Sequence, residues 1–178
     1  MQLRALLAIA ALLVPSAALA QAADPHCPAT DASLPPELAP WIAKAELASA
    51  TKPADLAGAT LQPGAAAHAT LHPTDEVAYV APPHKPQGPV SYGGLFALDI
   101  KDAGTYRVAL GSGAWIDVLA DSKPLSESAF GPGPSCSTIR KTVFFALTPG
   151  RYLIQLSANA APATAIMVVR TAPEAAAK

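Results

Sequence analysis

Apolar and polar residues alternate with a period of two along most of the second half of the chain. Tyr106, Val108 and Leu110 interleave with Thr105, Arg107 and Ala109, and Tyr152, Ile154 and Leu156 interleave with Arg151, Leu153 and Gln155. Successive side chains of a strand point to opposite faces, so this pattern predicts strands with one face on a core and the other turned outward. Eight segments read as strands: 65–71, 76–80, 92–100, 105–110, 115–120, 139–147, 151–157 and 164–170. Each is bounded by Gly, Pro, Asp or Asn, the usual punctuation of an all-β chain. The expected fold is an antiparallel β-sandwich or jelly roll of about eight strands, occupying residues 64–172, with a disordered tail at 173–178.

The region ahead of the sandwich reads differently. Residues 21–63 hold seven prolines and form a proline-rich arm. Each proline removes a backbone donor and turns its predecessor away from helix. Trp41 to Ala48 is free of Pro and Gly, and predicts a short helix of two turns with Trp41, Ala45 and Ala48 on one face. A helix that short needs something to pack against.

Two stretches echo one another. Phe96-Ala97-Leu98 precedes Gly104-Thr105-Tyr106-Arg107-Val108-Ala109-Leu110, and Phe145-Ala146-Leu147 precedes Gly150-Arg151-Tyr152-Leu153-Ile154-Gln155-Leu156. Both read as a strand, a turn ending in glycine, and a second strand opening on tyrosine, which predicts two hairpins with Tyr106 and Tyr152 buried. These phrases resemble the strand–turn phrases of bacterial pre-peptidase C-terminal-like and carbohydrate-module-like sandwiches. More closely, Tyr92–Leu119 and Cys136–Leu156 resemble small exported proteins of alphaproteobacteria that are often labelled homogentisate 1,2-dioxygenase. The resemblance covers roughly residues 60–170 and rests on turn and core residues, which specify a fold far more than a chemistry.

Composition then narrows the functional classes. Of 178 residues, 41 are alanine, so much of the apolar content is small side chains rather than bulk. Twelve Lys and Arg against thirteen Asp and Glu give a net charge of −1, which excludes a basic nucleic-acid footprint. No apolar run reaches the length of a membrane-spanning helix. Residues 1–20 carry the marks of a signal peptide: Arg4, the apolar run Ala5–Val14, the helix-breaking Pro15, and Ala18-Leu19-Ala20 as a cleavage signal. The expected mature chain starts at Gln21 and works in the periplasm or outside the cell. Disulfides persist there, and the two cysteines, Cys27 and Cys136, are expected to pair and tie the arm to the loop around Gly131–Pro134.

Candidate chemistry is sparse. There is no Gly-x-Ser-x-Gly elbow, and Ser112 within Gly111-Ser112-Gly113 reads as a hairpin turn. Asp75, Glu76, Asp99, Asp117 and Asp121 are available carboxylates, but nothing in the sequence pairs them as a glycosidase requires. The dioxygenase label implies ferrous iron held by two histidines and one carboxylate. His68, His72 and Glu76, spaced four apart, offer that set. On a helix they would share one face; on a strand His68 and His72 would lie about 13 Å apart. His26, Cys27 and His84 are a second conceivable set of ligands. Aromatic residues at strand ends and loops, namely Trp115, Tyr92, Tyr79 and Phe130, are the remaining lead. If Ile116 and Val118 face the core, Trp115 and Asp117 face outward together as a ligand-binding pair. The sequence thus favours an exported, non-catalytic module without a cofactor, binding a small molecule, a glycan or an envelope protein. The alternatives are an iron-dependent dioxygenase and a structural accessory of the cell envelope.

Overall fold

The computed structural model describes residues 27–83 and 90–171. The expected signal peptide, His26, His84 and the tail 173–178 lie outside the described residues. Twelve strands follow in chain order: β1 (Lys44–Ala48), β2 (Thr60–Leu61), β3 (Ala66–Thr70), β4 (His72–Pro73), β5 (Tyr92–Ile100), β6 (Gly104–Leu110), β7 (Trp115–Ala120), β8 (Lys123–Pro124), β9 (Ala129–Gly131), β10 (Lys141–Leu147), β11 (Gly150–Asn159) and β12 (Ala163–Arg170). They form a β-sandwich, as the period-two pattern predicts. One sheet has the order β1-β3-β12-β6-β10-β9; the other runs β2-β5-β11-β7-β8, with β4 also paired to β5. The pairs are antiparallel except for β1 with β3 and β2 with β5.

The core lies between the sheets. Val108, Leu110, Val143, Phe145, Ile166 and Val168 come from the first sheet, and Phe96, Leu98, Ile116, Val118, Ile154 and Leu156 from the second. These are the alternate apolar positions of the sequence. Tyr106 and Tyr152 are buried with them, at 4% and 8% exposure, so the phase of both strands is as expected.

Three local expectations are corrected. The segment Trp41–Ala48 is not a helix. A 3-10 helix spans Pro36–Ile42, and Lys44–Ala48 is strand β1. Prolines at 36 and 40 shorten the helical run, and the following residues gain a ladder by pairing with β3, where eight isolated residues would make only a marginal helix. Residues 76–80 are not a strand either: Thr74–Glu76 is a 3-10 turn, and Val80 and Ala81 give their amides to a side chain rather than to a ladder. Finally, the echoed units are not hairpins. β5 and β6 lie in different sheets, as do β10 and β11, so each unit crosses from one sheet to the other. Across the sandwich β6 pairs with β10, and β5 pairs with β11, so the two crossings face each other. The Tyr106 hydroxyl donates to the Asp102 carbonyl at 2.8 Å, and the Tyr152 hydroxyl to the Thr148 carbonyl at 2.9 Å. Each tyrosine thus ties its strand back to the corner four residues upstream, the geometry of a tyrosine corner.

The arm is built into the sandwich, since β1 and β2 precede residue 64 and belong to the two sheets. Ahead of β1 it lies over the outer face of the first sheet. Leu38 and Trp41 are fully buried there, in a second apolar cluster with Ala66, Ala109, Ile139, Met167 and Val169. Cys27 and Cys136 are disulfide-bonded, with Cα atoms 5.0 Å apart. Beside the bond the Asp31 carboxylate accepts from the Thr138 amide and hydroxyl, both at 2.6 Å. The Trp41 indole donates to the same Thr138 hydroxyl oxygen at 2.7 Å. One threonine therefore joins the disulfide loop to the tryptophan that anchors the cover.

Candidate functional site

Strand parity places the site. Ile116 and Val118 enter the core, so Trp115 and Asp117 project from the outer face of the second sheet. The register sets Trp115 opposite Ser157 and Asp117 opposite Gln155. All four share that face, because antiparallel partners point the same way.

The sequence-predicted pair is brought together. Trp115 Nε1 donates to Asp117 Oδ1 at 3.0 Å. The Lys141 ammonium lies 4.8 Å from the Trp115 ring centroid and also donates to the Ala114 carbonyl at 2.9 Å. A cation over an indole face is held by the ring quadrupole. The outcome is a half-buried aromatic ring with an acceptor on its edge and a positive charge on its face.

Sequence reasoning missed the neighbours. Gln155 sits among alternating apolar residues and reads as a solvent-facing position, yet it is fully buried. Its Oε1 accepts from the Val80 amide at 2.6 Å and the Ala81 amide at 3.2 Å, and its Nε2 donates to the Ala81 carbonyl at 3.2 Å. The Tyr79 hydroxyl donates to the Leu156 carbonyl at 3.1 Å. Residues 79–81 therefore form a strap across the outer face of the second sheet. Gly93 makes room for it: a Cβ there would run into the Tyr79 hydroxyl and the Leu156 carbonyl oxygen. Gly93→Ala is expected to destabilise by about 1–3 kcal/mol through overpacking, read as a lower urea midpoint. An unchanged midpoint would mean that the strap yields freely.

On the far side of the strap, a cleft of about 320 Å³ is lined by Val80, Leu119, Leu153, Asp121, Ser122 and Arg151, among others. That volume is at the lower end of the range for small-molecule sites. Asp121 and Ser122 form the two-residue turn between β7 and β8, both with positive φ (48° and 65°). That is the primed turn favoured in tight hairpins. Arg151 also meets Asp99 across the β11–β5 pair, at 3.8 Å.

The other candidates lie elsewhere. His68 is on β3 of the first sheet, where its Nδ1 is 3.1 Å from the Glu46 carboxylate. The chain then changes sheets, and His72 is on β4, its Nε2–H donating to the Ser49 carbonyl at 3.1 Å. Glu76 is exposed at the end of its 3-10 turn. Among the described residues no three His, Cys, Asp or Glu side chains gather in a way that could hold a metal ion. The residues present do not fit the two-histidine, one-carboxylate set. Cys27 is spent in the disulfide, which removes it as a thiolate ligand. Ser112 lies in a connection between sheets rather than in a hairpin, and its Oγ accepts from the Thr164 hydroxyl at 2.9 Å. Phe130 is exposed on the short edge strand β9, while Tyr92 packs partly against the core.

No protein-family model matches the chain, and no curated protein is found to be similar to it in sequence.

Proposed function

We propose that this protein is an exported, non-catalytic binding module whose ligand docks on the outer face of the second sheet. The observation that supports this most directly is the Trp115–Asp117 pair: an indole edge bonded to a carboxylate, on a face that also carries a cleft on the far side of the strap. An aromatic ring fixed at its edge by a carboxylate suits a polar ring-shaped ligand such as a sugar, whose C–H face packs on the indole while its hydroxyls meet the polar groups around it. The Asp121, Ser122 and Arg151 rim adds polar groups at the other end of the same face. Export is supported by residues 1–20 and fits the disulfide, which needs an oxidising compartment.

The iron-dependent dioxygenase reading finds no support in the placement of His68, His72 and Glu76: His68 meets Glu46, His72 meets the Ser49 carbonyl, and Glu76 is exposed.

A glycan array probed with the chain from residue 21 onward tests the proposal. Binding to one glycan class is expected, falling at least tenfold in Trp115→Ala and Asp117→Asn with the fold intact by circular dichroism. A loss of about 1.4 kcal/mol corresponds to that factor. Binding unaffected by both substitutions, or no binding to any glycan, would overturn it.

A further inference from the structure

A strand at the edge of a sheet presents unpaired amide and carbonyl groups, and natural sheets protect such edges with charged residues, prolines or very short strands. The other edge strands of this sandwich follow that rule. β1 carries Lys44 and Glu46, β8 is Lys123-Pro124, β4 ends on Pro73, and β2 is two residues long with Pro63 soon after it. β9 is the last strand of the first sheet, beyond β10, and reads Ala129-Phe130-Gly131, with neither a charge nor a proline. Phe130 lies opposite Val143, so its side chain is on the core side of the sheet. At this outermost position it is nonetheless 75% exposed.

Two charged side chains flank the strand. Glu127 comes just before β9 and Arg140 just before β10; both are exposed, and neither is in an ion pair among the described residues. Gly133 lies against Ile139, the neighbour of Arg140: a Cβ at position 133 would run into the Ile139 carbonyl oxygen and side chain.

We infer that β9 is a dimerisation edge, pairing antiparallel with β9 of a second copy about a two-fold axis through Phe130. In that register residue 130 meets its own counterpart, and residue 127 meets residue 133. The two phenylalanine rings pack as a cross-strand aromatic pair. Glu127 arrives beside Gly133 of the second copy, where no side chain stands in the way, and Arg140 lies one strand further in. Two strand spacings are about 10 Å, a gap that an extended glutamate and an extended arginine close between them. The symmetry makes this ion pair twice, and no like charges meet between residues 127 and 133. Pairing β9 with β1, β4 or β8 instead would set a charge or a proline against it. Pairing it with itself closes the assembly at two copies. Pro132 has no amide to donate, which holds the ladder to about five residues a side. That buries less than the roughly 800 Å² per partner of a standard stable complex, so the dimer is weak, with a dissociation constant in the micromolar to millimolar range.

Sedimentation equilibrium of the purified chain from residue 21 onward, between about 10 μM and about 2 mM, tests this. A monomer–dimer equilibrium is expected. Phe130→Lys should weaken it at least tenfold, about the effect of a central interface residue. Ile42→Lys, at another large exposed apolar residue, should leave it unchanged. Glu127→Arg and Arg140→Glu should each weaken it about threefold or more, and the double variant, which restores opposite charges, should return it to within about twofold of the parent. All four positions are exposed, so each variant should keep the parent's circular dichroism and urea midpoint. A chain that stays monomeric at the highest concentration would overturn the proposal. So would a dimer that Phe130→Lys leaves intact, a double variant no tighter than the single ones, or assembly beyond two copies.

Discussion

Replacing Tyr152 with alanine should lower the stability of the sandwich by about 3–5 kcal/mol, the usual cost of removing a buried aromatic ring. Tyr106→Ala should do the same. A domain of this size holds only about 5–15 kcal/mol in total, so either change would bring it close to unfolding. Each ring fills the core where the chain turns from one sheet to the other, and each hydroxyl closes its corner on the carbonyl four residues back. The phenylalanine variants separate the two contributions. Tyr106→Phe and Tyr152→Phe keep the ring and lose the corner bond, which is worth about 0.5–1.5 kcal/mol net. Urea midpoints at unchanged m-value measure both. The neighbouring arginines, which alternate outward with the tyrosines, are not equivalent to one another. Arg151 is largely exposed and meets Asp99 only at 3.8 Å, so its alanine variant should fall within about 0.5 kcal/mol. Arg107 is only 18% exposed at its side chain, lies 3.4 Å from Glu37 of the arm, and stacks on the Phe144 ring. A face that reads as solvent in the sequence is here roofed by the N-terminal arm, and Arg107→Ala should cost more than Arg151→Ala.

Removing the disulfide is the second large effect. Cys27 and Cys136 are separated by 109 positions. Breaking a native bond in a small exported domain typically costs about 2–5 kcal/mol, and the chain-entropy account places a loop of this length toward the upper end. Free-thiol titration of the denatured, unreduced protein should find close to none. The double variant Cys27→Ala, Cys136→Ala should then unfold at lower urea by that margin. Trp41→Ala attacks the same cover from its other end and should cost about 3–5 kcal/mol. The two should not add. Thr138 bonds both Asp31, near the disulfide, and Trp41, so loosening either end loosens the shared contact. A coupling of about 0.5–3 kcal/mol is expected for groups in one network; strict additivity would show that the disulfide and the tryptophan act separately.

The long strands were legible because they are half-buried and alternate. Tyr92–Ile100, Gly104–Leu110, Trp115–Ala120 and Gly150–Asn159 all follow from the period of two. What a turn connects was not legible. Asp102-Ala103-Gly104 and Thr148-Pro149-Gly150 have hairpin chemistry, but a glycine turn leads equally to the same sheet or the opposite one, and only the packing of partner strands decides. β1 and β2 were hidden for another reason: they are short, rich in alanine or bounded by prolines, and exist as strands only because β3 and β5 offer them an edge. At the site, parity alone exposed Trp115 and Asp117. Gln155 was invisible, since its role depends on backbone amides 74 and 75 residues away. The four-residue spacing of His68 and His72 misled because the chain changes sheets between them.

Strand order also dictates when this chain can fold if it emerges from a tunnel or pore with its N-terminus first. β12 lies between β3 and β6, and β11 lies between β5 and β7. The central member of each sheet is thus among the last segments delivered. Until residues 150–170 are free, β3 and β6 have no common neighbour, and neither have β5 and β7, so what lies upstream is a set of separate pieces: β1 with β3, β6 with β10 and β9, β5 with β2 and β4, and β7 with β8. Contacts so distant along the chain form slowly. A nascent or threading copy therefore cannot join these pieces into either sheet until the end of its passage, and closure of the sandwich comes late.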